Sequence, residues 1–226
     1  MGRRWFQEGV RLSPRSEETN RELREQSRHR ILDAALELFA EHGYEGATVA
    51  RIAARAGVAR GLVPYYFGTK EALLEELLAG AMTGAFGLAA PAPGETTADE
   101  RLAGLIDRVL AAAHGAVPVQ RLVLCLMLQP ATREVYARVE ASHEAVVTAF
   151  EDGIRSIFAD RGAPDPALEE MLLRSVLEGV IFKLAVYPGT YPLEDVRRRV
   201  HAMYGLTPAA PLLPDAPPRP ATRLRA

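Results

Sequence analysis

Between residues 48 and 67 the chain has room for two short helices joined by one tight turn, and for little else. Thr48 stands where a helix N-cap belongs. Val49, Ile52, Ala53 and Ala56 follow at i, i+3, i+4 and i+7, the spacing of one helical face. Gly57 stops that helix, since glycine alone adopts the left-handed C-terminal cap without a Cβ penalty. A turn over Gly57–Ala59 then leads into a second short helix from Arg60 to Phe67. Two helices joined by a three- or four-residue glycine turn hold the second as a protruding rod. A rod of that diameter fits the major groove of DNA.

The charge distribution bears on this directly. Residues 46–70 contain Arg51, Arg55, Arg60 and Lys70 and no acidic residue, in a chain whose formal net charge is −2. Such a stretch is either a solvated helical face or a local anion-binding face. On the second reading the four cations supply phosphate contacts. Tyr65 and Tyr66 offer hydroxyls and flat rings at the groove edge, and Gly61 lets the backbone come close to the sugar-phosphate wall.

The remainder reads as helices with punctuation. Residues 1–24 are polar and poorly periodic and are expected to form a flexible charged arm, with a helical end running into the next segment. Residues 27–42 form an amphipathic helix through Ile31, Ala35, Leu38 and Phe39, ended by Gly43. A longer helix starts at Lys70, with Leu73, Leu74, Leu77, Leu78 and Ala81 inward. After the break Ala90-Pro91-Ala92-Pro93-Gly94, helices are expected at 98–113, 118–129, 133–160, 166–187 and 193–204. The 166–187 helix is apolar around so much of its circumference that it must bury two faces, one within its own subunit and one elsewhere. Ser175 and Gly179 on it permit close approach of another helix. In the 193–204 helix, Val196, Val200 and Met203 line one side and Arg197–Arg199 are expected to face out. Residues 208–226 are a proline-rich tail expected to be disordered.

Several classes are excluded. No apolar run approaches the roughly 18–20 residues of a membrane span. The first residues lack the apolar segment of a secretory signal. One cysteine, Cys125, rules out an internal disulfide and any cysteine-based metal site, and fits a reducing cytoplasm. Glu140 and His143 copy the Glu-x-x-His spacing of di-metal bundles, but such sites need the motif twice, so no metal and no cofactor are expected. No catalytic triad or phosphate-binding glycine loop is visible, and the chain does not read as an enzyme.

Residues 25–85 resemble the TetR/AcrR family of transcriptional regulators. The resemblance is carried by Ile31-Leu-Asp-Ala-Ala-Leu-Glu-Leu-Phe39, Gly43-Tyr44-Glu-Gly-Ala-Thr48-Val49, Ile52-Ala53 with Ala56-Gly57-Val58, and Gly61-Leu-Val-Pro-Tyr-Tyr66-Phe67-Gly-Thr-Lys70-Glu71. It implies an all-α protein with an N-terminal helix-turn-helix domain (25–85) and a C-terminal helical bundle for ligand binding and dimerisation (86–207). It implies that Thr48 caps its helix and offers a hydroxyl and an amide to phosphate. Arg60, Gly61, Leu62 and Tyr65 would face bases or groove walls, and Tyr66 and Lys70 would hold phosphates at the far edge. Phe39, Ile52, Val58 and Phe67 would be core. The chain departs from the family pattern at Ala59, where serine is frequent, at Leu62, where threonine is frequent, and at Pro64, where tyrosine is usual. Proline at 64 removes a backbone donor and could bend the helix.

The resemblance further implies a cytoplasmic homodimer that binds a palindromic operator in double-stranded DNA. A small-molecule effector in the C-terminal helices would lower operator affinity by population shift, the behaviour of a repressor. Arg121, Cys125 and Gln129 at i, i+4 and i+8, together with His143 and Glu178, are the candidate effector-binding residues. The plainer reading of most of them is a surface or satisfied core group. The alternative function is a ligand- or metal-binding helical bundle whose DNA affinity is weakened at Pro64.

Overall fold

A computed structural model describes residues 14–207 together with 211 and 212. The fold is all-α, and no strand occurs among the described residues. The order is α1 (Pro14–Gly46), α2 (Val49–Ala56), α3 (Leu62–Phe67), α4 (Lys70–Phe86), a 3-10 turn (Gly87–Ala89), α5 (Ala98–Gly115), α6 (Val117–Leu128), α7 (Pro130–Ser142), α8 (Glu144–Asp160), α9 (Pro166–Val186) and α10 (Leu193–Met203). No single helix among the described residues is long and apolar enough to cross a membrane. Helices α5 and α6 pass that test only as a pair, bent by 89° at their junction.

Two apolar cores hold the helices. The first joins Ile31, Leu38, Phe39, Ile52, Val63, Phe67, Leu74 and Leu78 of α1–α4 to Leu122 and Leu126 of α6 and Val135 and Val139 of α7. The second joins Leu102, Leu105, Ile106 and Leu110 of α5 to Phe150, Ile154 and Phe158 of α8, Leu173, Leu177, Val180 and Leu184 of α9 and Val200 of α10. The core assignments at Phe39, Ile52 and Phe67 hold, and Val58 is half-buried against the same cluster. Helix α6 packs on α1 on one side and on α9 on the other, so it bridges the two cores.

Three expectations change. Helix begins at Pro14, so residues 14–24, expected within the arm, continue α1; residues 18–26 are exposed on every side and touch no core. Residues 1–13 and most of the 208–226 tail lie outside the described residues. The expected single helix over 133–160 is two helices meeting at His143, whose backbone (φ −113°, ψ 15°) leaves the helical range. Val135 and Val139 belong to the first core while Phe150 and Ile154 belong to the second, so the chain must turn between them. The break is capped locally: Nδ1 of His143 lies 2.8 Å from the Val139 carbonyl and 3.0 Å from Ser142 Oγ.

The third change is at Arg197. It does not face out with Arg198 and Arg199 but is fully buried, with Nε and one terminal nitrogen donating to the two oxygens of Asp107 at 2.6 and 2.7 Å and the other to Glu194 at 2.6 Å. A charge taken out of water needs such partners.

Candidate nucleic-acid interface

The turn between α2 and α3 has the geometry its glycine requires. Gly57 is left-handed (φ 64°, ψ 37°). Its N–H donates to the Ala54 carbonyl (3.2 Å), and that of Val58 donates to the Ala53 carbonyl (3.0 Å). This double closure is a Schellman cap. At the other end of α2, Thr48 Oγ1 accepts the Arg51 N–H at 3.3 Å.

Helix α3 starts at Leu62 rather than Arg60. Ala59–Gly61 form a turn closed by the Leu62 N–H on the Ala59 carbonyl at 2.9 Å. Gly61 caps the helix without a side chain. Pro64 is its third residue, inside the first turn, where backbone N–H groups have no intrahelical partner anyway. The helix continues past it, Tyr65 N–H to Gly61 at 3.2 Å and Gly68 N–H to Pro64 at 2.9 Å. Proline is tolerated here for the same reason it is tolerated at helix starts generally.

Val63 and Phe67 turn α3 toward the first core. Gly61 and Tyr65 fall opposite them at helical spacing and Pro64 to one side, all exposed, with Tyr65 67% accessible; Arg60, in the turn before the helix, is exposed as well. Leu62 and Tyr66 flank this edge half-buried, and the Tyr66 ring meets that of Tyr65 edge-on at 5.1 Å. Thr48 thus lies at the start of α2, Arg60 and Gly61 in the turn before α3, and Leu62, Tyr65 and Tyr66 on the outer side and flanks of α3.

The four cations of this stretch separate sharply. Arg55 donates to Glu37 (2.7 Å) and Glu41 (3.4 Å) of α1, and these carboxylates push its pKa up. Arg51 donates to the Gly46 carbonyl at 2.6 Å. Lys70 donates to the Tyr44 carbonyl at 2.9 Å, with its ammonium 4.0 Å from the Tyr44 ring centre. Arg60 is exposed and has no partner among the described residues. Sequence reasoning grouped these four as one basic face. The partners of Arg51, Arg55 and Lys70 are 5 to 26 residues away along the chain, and only packing shows that Arg60 is the charge that stays free.

The effector candidates are less well gathered. Arg121 is exposed and donates Nε to the Ala185 carbonyl at 2.9 Å, tying α6 to α9. Cys125 is a half-buried free thiol, and Gln129 is exposed at the end of α6. Glu178 is exposed on α9, near enough to Tyr136 to join Glu140 and burial in raising that phenol's pKa; burial is the largest cause. An open groove of about 390 Å³ between α4 and α7 is lined by Glu75, Glu76, Ala79, Arg138, Val139, Ser142 and His143. Of the five candidates it includes His143 alone. No cluster of three or more metal-ligating side chains occurs among the described residues.

A family model described as "Bacterial regulatory proteins, tetR family" matches residues 31–77. The chain is 31% identical over 156 residues to the "Fatty acid metabolism regulator protein" of Bacillus subtilis, covering 67% of this chain and 77% of that protein. It is 53% identical over 47 residues to the "HTH-type transcriptional repressor AcnR" of Corynebacterium efficiens, covering 21% of this chain and 25% of that protein. The chain therefore spans about a quarter of the length of curated relatives such as AcnR. The structure of the fatty acid degradation regulator FadR from Bacillus halodurans superposes with a TM-score of 0.65 at 23% identity, covering 81% of this chain and 97% of that one. FadR from Bacillus subtilis in complex with stearoyl-CoA superposes with a TM-score of 0.61 at 21% identity, covering 77% and 96%. At these identities the superpositions speak for the fold.

Proposed function

The chain belongs to the TetR family of transcriptional regulators, and from that premise we propose that it is a cytoplasmic, homodimeric, sequence-specific DNA-binding repressor. Residues 25–85 form the DNA-binding region and 86–207 the ligand-binding and dimerisation region. The observation that carries the reading is Arg60: an exposed cation without a partner among the described residues, in the turn that leads into α3. Arg60, Gly61, Leu62 and Tyr65 meet bases and groove walls, and Thr48 and Tyr66 meet phosphates. Leu62 cannot hydrogen-bond but can touch a thymine methyl. Two such edges, one per subunit, read the halves of a palindrome.

The effector class suggested by the relatives is an acyl-CoA. One is a fatty acid metabolism regulator whose similarity extends beyond the DNA-binding region, and a fold neighbour is in complex with stearoyl-CoA. Arg121, Cys125, Gln129, His143 and Glu178 remain the candidate contacts. A ligand that prefers a form with mismatched α3 spacing lowers operator affinity by the difference in its affinity for the two forms.

The test is selection of duplexes from a random pool by the full chain, followed by titration across salt. Recovery of a palindrome whose binding falls steeply with salt is the expected result. Stearoyl-CoA added to that complex is expected to release the DNA, and coenzyme A without its acyl chain is not. Weak binding indifferent to sequence would sink the DNA reading. Release by neither compound would sink the acyl-CoA assignment alone.

A further inference from the structure

Helix α1 runs well past the domain it helps to build. Only Gly43 departs from helical φ and ψ within it, yet its buried residues begin at Ile31. Residues 18–26 are exposed on every side, and no ion pair joins them among the described residues. Ser27 Oγ donates to the Leu23 carbonyl at 2.8 Å, which is a local bond of little weight. A helix that is polar all round, without i,i+4 pairs to support it, is suited to bridging to something else.

The side chains say which side of this segment is charged. Arg21, Arg24 and Arg28 recur at i, i+3 and i+7, and the same stripe continues as Ile31, Ala35 and Leu38 of the first core. Beyond the edge of the domain the arginines therefore occupy the side of α1 that faces the other helices within it. Glu18, Glu22 and Glu25 fall on the adjoining side, and Glu17, a turn before Arg21, ends the stripe. Arg28 marks where the stripe leaves the domain. Its guanidinium lies 5.2 Å from the ring centre of Phe67, the last residue of α3, and pairs with Glu76 of α4. Arg24 and Arg21 stand about 6 and 10 Å further along the axis, at 1.5 Å per residue. Both are exposed, and neither has a partner among the described residues.

The major groove is about 12 Å wide, so a duplex seated on the outer side of α3 carries phosphate walls close on either side of it. The free part of α1 departs beside one end of that helix. A guanidinium with no carboxylate to hold is suited to a phosphate, which it grips with two parallel N–H groups.

We propose that the free N-terminal part of α1 is an additional DNA-binding element, in which Arg21 and Arg24 hold phosphates of the duplex flanking the half-site that α3 reads. The inference rests on the DNA-binding reading above. It gives a partner to a helical segment that the rest of the chain leaves unburied.

The experiment measures affinity of the full chain, across salt, for the duplex it selects from a random pool, with flanks of about ten base pairs on each side. Arg21→Gln combined with Arg24→Gln removes both charges and keeps residues of similar helix propensity. The double variant is expected to bind about tenfold more weakly at physiological salt. The slope of log affinity against log salt is expected to fall by about 1.8, or 0.9 for each phosphate released. On a duplex trimmed to the palindrome, wild type and double variant are expected to bind alike. Arg133→Gln removes an exposed cation of α7 that has no partner among the described residues, and is expected to leave the slope as it is. An unchanged slope in the double variant overturns the proposal, whatever its affinity. So does a deficit that persists in full on the trimmed duplex, and so does an equal loss per charge from Arg133→Gln, the mark of a general field rather than a contact. A wild-type chain that selects no duplex overturns the DNA reading itself, a result distinct from these.

Discussion

Asp107 holds two buried side chains at once. Besides its two bonds to Arg197, it lies 2.8 Å from Nε2 of His201, which is also fully buried and whose Nδ1 has no partner. The Asp107 bonds are the largest cause of the raised Arg197 pKa, so the guanidinium stays charged in an apolar setting. Asp107→Ala leaves that charge with Glu194 alone and is expected to cost about 3–5 kcal/mol in urea unfolding. A loss below about 1 kcal/mol, the scale of an exposed pair, would show that water reaches the cluster. The run Arg197-Arg198-Arg199 reads as a solvated face because nothing local distinguishes its members. Only helical spacing hints otherwise, since 197 falls with Leu193, Val200 and His201, all buried. The decisive partner lies 90 residues upstream.

Elements were legible where their ends carry chemistry. Thr97 caps α5 and Glu100 completes a capping box, accepting the backbone N–H groups of Thr96 and Thr97 at 2.9 Å each. Those bonds bring the Glu100 pKa down to about 2 from 4.5, the Thr97 and Thr96 N–H groups being the largest causes. A depressed carboxylate stabilises the fold above its unfolded pKa and loses that contribution as pH falls through its folded value. The stability gap between wild type and Glu100→Ala is therefore expected to be full at neutral pH and to close between about pH 4.5 and 2. A gap unchanged across that window would refute the capping role. The break at His143 had no such marker. No proline or glycine stands there, and the turn exists because α7 and α8 serve different cores.

At the scale of the whole molecule, α9 is the element that asks for a partner. Leu173, Leu177, Val180 and Leu184 are buried within the chain. Met171, Leu172, Phe182 and Val186 are 57, 48, 41 and 45% exposed on another side, with exposed Ser175 and Gly179 between them. On α10, Met203 is exposed as well. An exposed stripe of apolar and small residues suits the association surface that the proposed homodimer needs. Leu172→Glu combined with Phe182→Glu is expected to turn a dimer into a helical monomer by light scattering. Operator affinity should fall by roughly a hundredfold or more, because the second half-site no longer binds intramolecularly. A wild-type chain that scatters as a monomer at micromolar concentration would remove this assignment.

The all-α architecture, the glycine-capped turn at 57, the exposed edge of α3 and the second apolar stripe of α9 all follow from residues within a turn or two of one another. Helical periodicity and glycine conformation act over that range, so sequence alone determined them. The tertiary structure decided which cations remain free, where α7 gives way to α8, and what Arg197 and Lys70 touch. Those outcomes depend on groups up to 90 residues apart meeting in a low-dielectric interior or over a ring face, and no local rule encodes such meetings. It also drew only His143 of the effector candidates into the α4–α7 groove. Spacing along α6 aligns side chains on one face but does not say what that face packs against.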